Sequence, residues 1–328
     1  MATTLRTTGC RPLITLVLAC LALAACAPAG AQFNRPNGVA VAPDGSLFVM
    51  DRGHHRVVYM AADGKVLTTW GGLGTSDGYL YTGWDAALDD DSNVYVCNQV
   101  RDENGYVIHD GIKVFTARGQ FVRELGGEDY PPHPETRVRK VYGVDVDGAQ
   151  RVYVADYGAN TVRVFDRAGE RVAELFGRSG IADGEFEGLN DVAVDDARGY
   201  LYAVDHVNGR VQQFRLVVRP DGTLVATHRA TFGSYGQDHG QFAYPQYVAV
   251  NDRSGRVYVG DMANRRIQVL DAEGNFVAAF APPDVEDWQV MGLAVGADDA
   301  VYAADAFNDA VWVFEADGRL RGRIGGGS

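Results

Sequence analysis

Residues 36–51 read PNGVAVAPDGSLFVMD. An apolar triplet is followed by a Pro-Asp-Gly turn, a second apolar run and a closing acid. Asp-Gly between two short apolar runs is a hairpin signal, because glycine reaches the positive φ that a tight turn needs. The same phrase recurs five times. It returns as GWDAALDDDSNVYVCN at 83–98, VYGVDVDGAQRVYVAD at 141–156 and LNDVAVDDARGYLYAVD at 189–205. It returns again as PQYVAVNDRSGRVYVGD at 245–261 and VMGLAVGADDAVYAAD at 290–305. The closing residues are Asp51, Asn98, Asp156, Asp205, Asp261 and Asp305, spaced 44 to 58 apart. A period of that length marks a stacked array of supersecondary units.

Working outward, each unit continues with a third strand: Arg56–Met60, Ile112–Thr116, Val162–Asp166, Val211–Leu216, Ile267–Asp271 and Val311–Glu315. A fourth follows at Val66–Trp70, Phe121–Leu125, Val172–Phe176, Leu224–Phe232, Phe276–Phe280 and Leu320–Ile324. Four such strands make one antiparallel sheet, which cannot bury both faces alone, so the units stack radially. The pattern predicts an all-β fold, a six-bladed β-propeller of four-stranded antiparallel blades. A single flat sheet of 24 strands would exceed the ordinary sheet and leave long exposed edges. Each repeat carries its own four strands, so closure requires blade six to pack on blade one with no strand exchanged.

The recurring G-V-A-V-x-x-x-G-x-V-Y-V-A-D-x-x-N-x-R-V pattern resembles the NHL repeat. Asp51–Val57 (DRGHHRV), Asp156–Val162 (DYGANTV) and Asp261–Ile267 (DMANRRI) carry its loop, and SGIADGEF and SYGQDHGQF resemble its glycine-rich connectors. The resemblance covers Gln32 to Gly326. It implies the fold strongly and an activity weakly, since such propellers serve unrelated functions.

Residues 1–31 read as a leader: Arg6 and Arg11, then an apolar run from Leu13 to Ala25, too short to span a bilayer. Leu23-Ala24-Ala25-Cys26 resembles a lipobox, with Cys26 as the lipidated residue, while Ala29-Gly30-Ala31 resembles a cleavage site that frees Gln32. The expectation is a signal peptide at 1–31 and one propeller domain at 32–328, exported to the periplasm or cell envelope or secreted. Contact with a membrane is expected only through the N-terminal lipid. Beyond the leader only Cys97 remains, so no internal disulfide can form. Its apolar surroundings, Val94–Cys97, suit a small buried residue. The domain carries 28 basic against 43 acidic residues, a net of −15. That opposes nucleic acid as a partner, because phosphate neutralisation supplies most of such affinity.

Propellers bind at the axial mouth. The residues expected there by alignment are Asn37, Trp84, Tyr142, Asn190, Gln246 and Met291 at the starts of the innermost strands. Arg52, Gln99, Tyr157, His206, Met262 and Ala306 follow the closing acids. Amides donate and accept hydrogen bonds and aromatics give flat apolar contact, so this mixture suits a peptide, a glycan or an envelope protein. The insertions 99–110 and 128–140 are expected to overhang one side of the mouth.

Two enzyme families of this general shape can be compared. Peptidyl-hydroxyglycine amidating lyase holds zinc on histidines at the strand-start position, where this chain has none. Lactonases of the gluconolactonase and paraoxonase kind hold calcium on axial Glu, Asp and Asn. Asn37 and Asn190 match such a set in part, with no axial Glu. The acidic turn Asp89–Asn93 lacks the spacing and closing Glu of an EF-hand. No nucleophile elbow, P-loop or H-E-x-x-H motif is present. No catalytic set and no cofactor are therefore expected. The leading expectation is an exported binding propeller. The alternative is a calcium-type lactonase- or esterase-like enzyme, or a lyase-like one.

Overall fold

A computed structural model describes residues 32–105, 107–127, 140–173 and 176–326. The expected leader with Cys26 and most of the 128–140 insertion lie outside the described residues. Six antiparallel sheets follow one another along the chain, each in simple up-and-down order. Five have four strands. Blade three has three (Val141–Val146, Val152–Asp156 and Thr161–Phe165), and its fourth segment is tied on by isolated bridges, Phe165 to Arg171 and Val162 to Phe176. The fold is a six-bladed β-propeller.

The near-continuous apolar runs of the inner strands, buried along their whole length, explain why the blades stack. The buried side chains fall into six clusters, each drawn from two neighbouring blades. Tyr95, Tyr153, Tyr202 and Tyr258 are among the largest fully buried side chains and recur at one position in the second strands of blades two to five. Every blade therefore buries both faces, and the core is a set of six radial seams rather than one centre. The last seam joins Phe33, Val39 and Leu47 of blade one to Tyr302, Val311 and Val313 of blade six. Among the described residues no strand is exchanged across it.

In blades one, four and five the closing acid holds the blade to its connector. Asp51, Asp156, Asp205, Asp261 and Asp305 are wholly buried. In blade four, Asp205 Oδ1 accepts from Glu187 N at 2.7 Å and Oδ2 from Arg210 Nε at 2.7 Å. Blade five repeats this with Ala243 N and Arg266 Nε, and blade one with Asn34 N and Arg56 Nε. In blade two Asn98, which carries no charge, keeps the backbone contact, accepting from Tyr81 N at 2.9 Å. The repeated Asp is thus a structural acid that orders the upper face.

Candidate functional site

All first strands begin on one face, and five of them begin with an irregularity of register. Pairing skips between Pro36 and Val39, Gly83 and Ala86, Leu189 and Val192, and Pro245 and Tyr247. In blade three the partners of Asp156 and Ala155 are Val141 and Gly143, which leaves Tyr142 unpaired. A bulge re-aims the side chain of its extra residue. The ring expected from alignment, Asn37, Trp84, Tyr142, Asn190 and Gln246, consists of these bulged residues. Met291 takes the sixth position, its N–H donating to Ala304 O at 2.8 Å.

Over blades one to three the mouth is a chain of stacked groups. The Arg52 guanidinium lies 4.5 Å above the Trp84 ring, and its Nη1 is 3.5 Å from Asn37 Oδ1. Trp84 meets Tyr142 edge-on at 4.9 Å, and Tyr142 meets Tyr157 edge-on at 5.0 Å. Burial lowers the Arg52 pKa, helped by Arg35 and Arg101, and raises that of Tyr142 against the opposing pull of Arg101. The insertion after Asn98 lengthens the inner hairpin of blade two, pairing Gln99 with Asp110 and Arg101 with Val107. It rises on the mouth face and brings Arg101 beside Tyr142.

Over blades four to six the mouth is quieter. Asn190 Nδ2 donates to Gln246 O at 2.9 Å, and the His206 ring nitrogen Nδ1 lies 3.0 Å from Pro245 O. Burial lowers the His206 pKa, which favours the neutral ring. Met262 and Ala306 are half-buried, whereas Gln99 is fully buried and donates to Val141 O. Val207, Tyr235, Tyr244 and Phe307 stand exposed around this half, with Tyr244 packed against both His206 and Tyr235.

Three buried polar atoms of the ring lack a hydrogen-bond partner: Asn37 Nδ2, Trp84 Nε1 and Gln246 Oε1. The phenol of Tyr247 interacts with Asn37 but leaves its amide nitrogen without a well-formed bond. An unmet buried donor or acceptor costs about 1–3 kcal/mol, so such groups gather where water or a ligand completes the set.

Below the ring lies a feature that alignment of the strand starts did not single out. The channel, a cavity of about 190 Å³, is lined by Asp85, Asp145 and Asp191 among Ala and Val. Asp85 and Asp191 are the second bulge residues of their blades. Asp145 stands where the other five blades have Ala40, Ala87, Ala193, Ala249 and Ala294. Each carboxylate reaches one blade onward: Asp85 Oδ2 accepts from Val144 N at 3.2 Å, Asp145 Oδ2 from Val194 N at 2.8 Å and Asp191 Oδ2 from Val248 N at 2.9 Å. Desolvation pushes Asp85 and Asp145 up to about 7, and Asp191 rises through desolvation and then the charge of Asp85. The legible signal was VDV at 144–146 among five copies ending in an Ala-centred triplet.

Metal chemistry has little to work with at the ring. Asn37 Oδ1 faces the Arg52 guanidinium, a poor neighbour for a cation, and no carboxylate stands among the ring residues. Among the described residues no group of three or more His, Cys, Asp or Glu side chains is arranged to hold a metal ion. The Asp89 turn is held by its own atoms: Asp89 accepts from Asp91 N, Asn93 N, Asn93 Nδ2 and the Tyr95 hydroxyl. Cys97 is buried, and desolvation raises its thiol pKa, so it carries no reactive thiolate.

The family model of the NHL repeat matches residues 33–58, the segment holding the first hairpin and its DRGHHRV loop. The chain is a six-bladed β-propeller that carries an NHL repeat at 33–58. NHL repeat-containing protein 3 of Homo sapiens is 28% identical over 178 residues, 52% of this chain and 48% of that protein. The chain spans between 13% and 59% of the length of the first curated relatives it matches. Solved propellers share the fold at low identity. A streptogramin B lyase overlays with a TM-score of 0.59 at 10% identity, over 91% of this chain and 85% of that one. A gluconolactonase of Xanthomonas campestris gives 0.60 at 15%, over 86% of each.

Proposed function

We propose that this NHL propeller is an exported ligand- or protein-binding scaffold that works through its strand-start mouth. The observation that carries the reading is the ring of bulged residues with three unmet buried polar atoms, Asn37 Nδ2, Trp84 Nε1 and Gln246 Oε1. A rigid sheet core holds them, and aromatic edges and guanidiniums surround them, as a binding site for a polar organic group requires. The leader at 1–31 would deliver the domain to the envelope, with Cys26 as the lipid attachment point. Peptides, glycans and envelope proteins are the partner classes this surface suits.

The test is binding to peptide and glycan arrays by the wild type, by Trp84→Ala and Tyr142→Ala, and by Arg253→Ala on the opposite face. Loss of a captured ligand in the two mouth variants alone supports the reading. Loss in Arg253→Ala alone, or in none, removes the mouth from consideration.

The channel carboxylates favour a second reading, a lactonase-, esterase- or lyase-like activity. A carboxyl with a pKa near 7 can donate and accept a proton at neutral pH. Turnover of a lactone or ester that vanishes in Asp191→Asn and survives in Trp84→Ala would establish it.

A further inference from the structure

Resting on the mouth as the binding face, we infer that its sector over blades one to three is a site for a carboxylate-bearing ligand with a flat body. Four arginines of this face are spent on structure: Arg56, Arg163, Arg210 and Arg266 each pair with a buried acid at 2.7–2.8 Å. Arg52 and Arg101 are not. Arg52 contacts Asn37 and the Trp84 face. Arg101 contacts Gly105 O at 2.9 Å, Gln99 Oε1 at 3.0 Å and the Tyr142 phenol. Among the described residues neither forms an ion pair with a carboxylate; Asp110 feels the charge of Arg101 from a distance.

Desolvation first, and then the positive charges of Arg35 and Arg101, lower the pKa of the half-buried Arg52, so the charges repel across this sector. An anion between them would relieve the repulsion. The unmet atoms in this sector, Asn37 Nδ2 and Trp84 Nε1, are both donors, and Asn37 is wholly buried. A donor-rich wall calls for an acceptor-rich group, and charge-assisted bonds from arginine are the strong ones. The edges and faces of Trp84, Tyr142 and Tyr157 continue the wall, so the body attached to the anion is flat or ring-shaped.

The ligand's charge follows from the whole molecule. A chain of net charge −13 repels polyanions at range, while two local guanidiniums suffice for a single carboxylate. Phosphates and nucleic acid are thereby disfavoured.

Isothermal titration calorimetry of the purified protein with hippurate tests the inference, against its neutral analogue hippuramide and against inorganic phosphate. Hippurate is expected to bind saturably. Each of Arg52→Gln and Arg101→Gln is expected to weaken it about tenfold or more, as is loss of the ligand's charge. Arg253→Gln, which removes the same charge from the opposite face, is expected to leave binding unchanged. Circular dichroism melts of each variant guard against misfolding. Equal binding of hippuramide, tighter binding of phosphate, undiminished binding in the arginine variants or no saturable heat with hippurate would each overturn the site. Hippurate failing while array ligands still depend on Trp84 would sink the carboxylate site and leave the mouth standing. Failure of both would remove the mouth as well.

Discussion

At the scale of single residues, the most repeated side chain is an acid whose work is internal. Asp205 is wholly buried and meets Glu187 N, Asn208 Nδ2, Arg210 Nε and Gln212 Nε2. Its removal strands the Arg210 guanidinium, whose side chain is only 12% exposed. Breaking one partner of a buried pair costs about 3–5 kcal/mol. Asp205→Ala is therefore expected to lower the urea midpoint strongly, whereas Asp63→Ala, on an exposed turn, should leave it unmoved. The channel acids act in the opposite sense. The folded-state pKa of Asp145 is raised to about 7 from an ordinary 3.8, so the folded protein holds more protons than the unfolded chain between those values. Its contribution is fully present below the lower value and is lost as pH rises through the higher one. Stability should decline from pH 4 to pH 8 with contributions from Asp85 and Asp145. Asp145→Ala, which installs the residue of the other five blades, should flatten that decline. Urea midpoints of wild type and variant across this range decide it: an identical slope in both would refute the assignment.

At the scale of the strand, the bulge links fold to site. Each extra residue turns one side chain into the mouth, and in blades two and four the next residue, Asp85 or Asp191, leans toward a neighbouring blade. Blades one and three answer with glycine. A methyl on Gly143 would sit 2.6 Å from the Asp191 Cα, and one on Gly38 would sit 2.6 Å from the Asp85 Cα. Gly143 has no positive φ, so space alone demands glycine there. Overpacking of this kind costs about 1–3 kcal/mol. Gly143→Ala is expected to destabilise by that amount in chemical denaturation, while Gly78→Ala, with nothing within 4 Å, should be neutral. Comparable losses in both would show that contact with Asp191 does not set the cost, since the entropy term of a Gly→Ala change is stabilising.

At the scale of the molecule, the blade count and the positions of the strand starts were legible because paired apolar runs closed by an acid, or by Asn98, recur every 44–58 residues. Asn37, Trp84 and Tyr142 could be placed by alignment alone. Arg101 could not, because the hairpin that lifts it has no counterpart in the other blades. Asp85 and Asp191 were hidden because which residue a bulge turns inward depends on register. Closure leaves its own signature. The chain reaches blade one through Arg35, whose N–H donates to Asp309 Oδ1 at 2.7 Å across 274 residues. Phe33 fills the same seam, 5% exposed and packed on Gly325. These are the contacts that turn an open array of blades into a ring. A solenoid-like array frays from its ends, whereas a closed one has no ends to fray. Phe33→Ala is expected to cost about 3–5 kcal/mol, the range for a buried aromatic. The loss should also be uneven: hydrogen exchange should quicken first in the strands Ala310–Phe314 and Leu320–Gly325 of blade six and Pro36–Val41 of blade one. Strands Val152–Asp156 of blade three and Tyr200–Asp205 of blade four, on the far side of the ring, should keep their protection until global unfolding. Uniform acceleration in all six blades would mean that the seam unfolds with the whole and is no weaker than the other five.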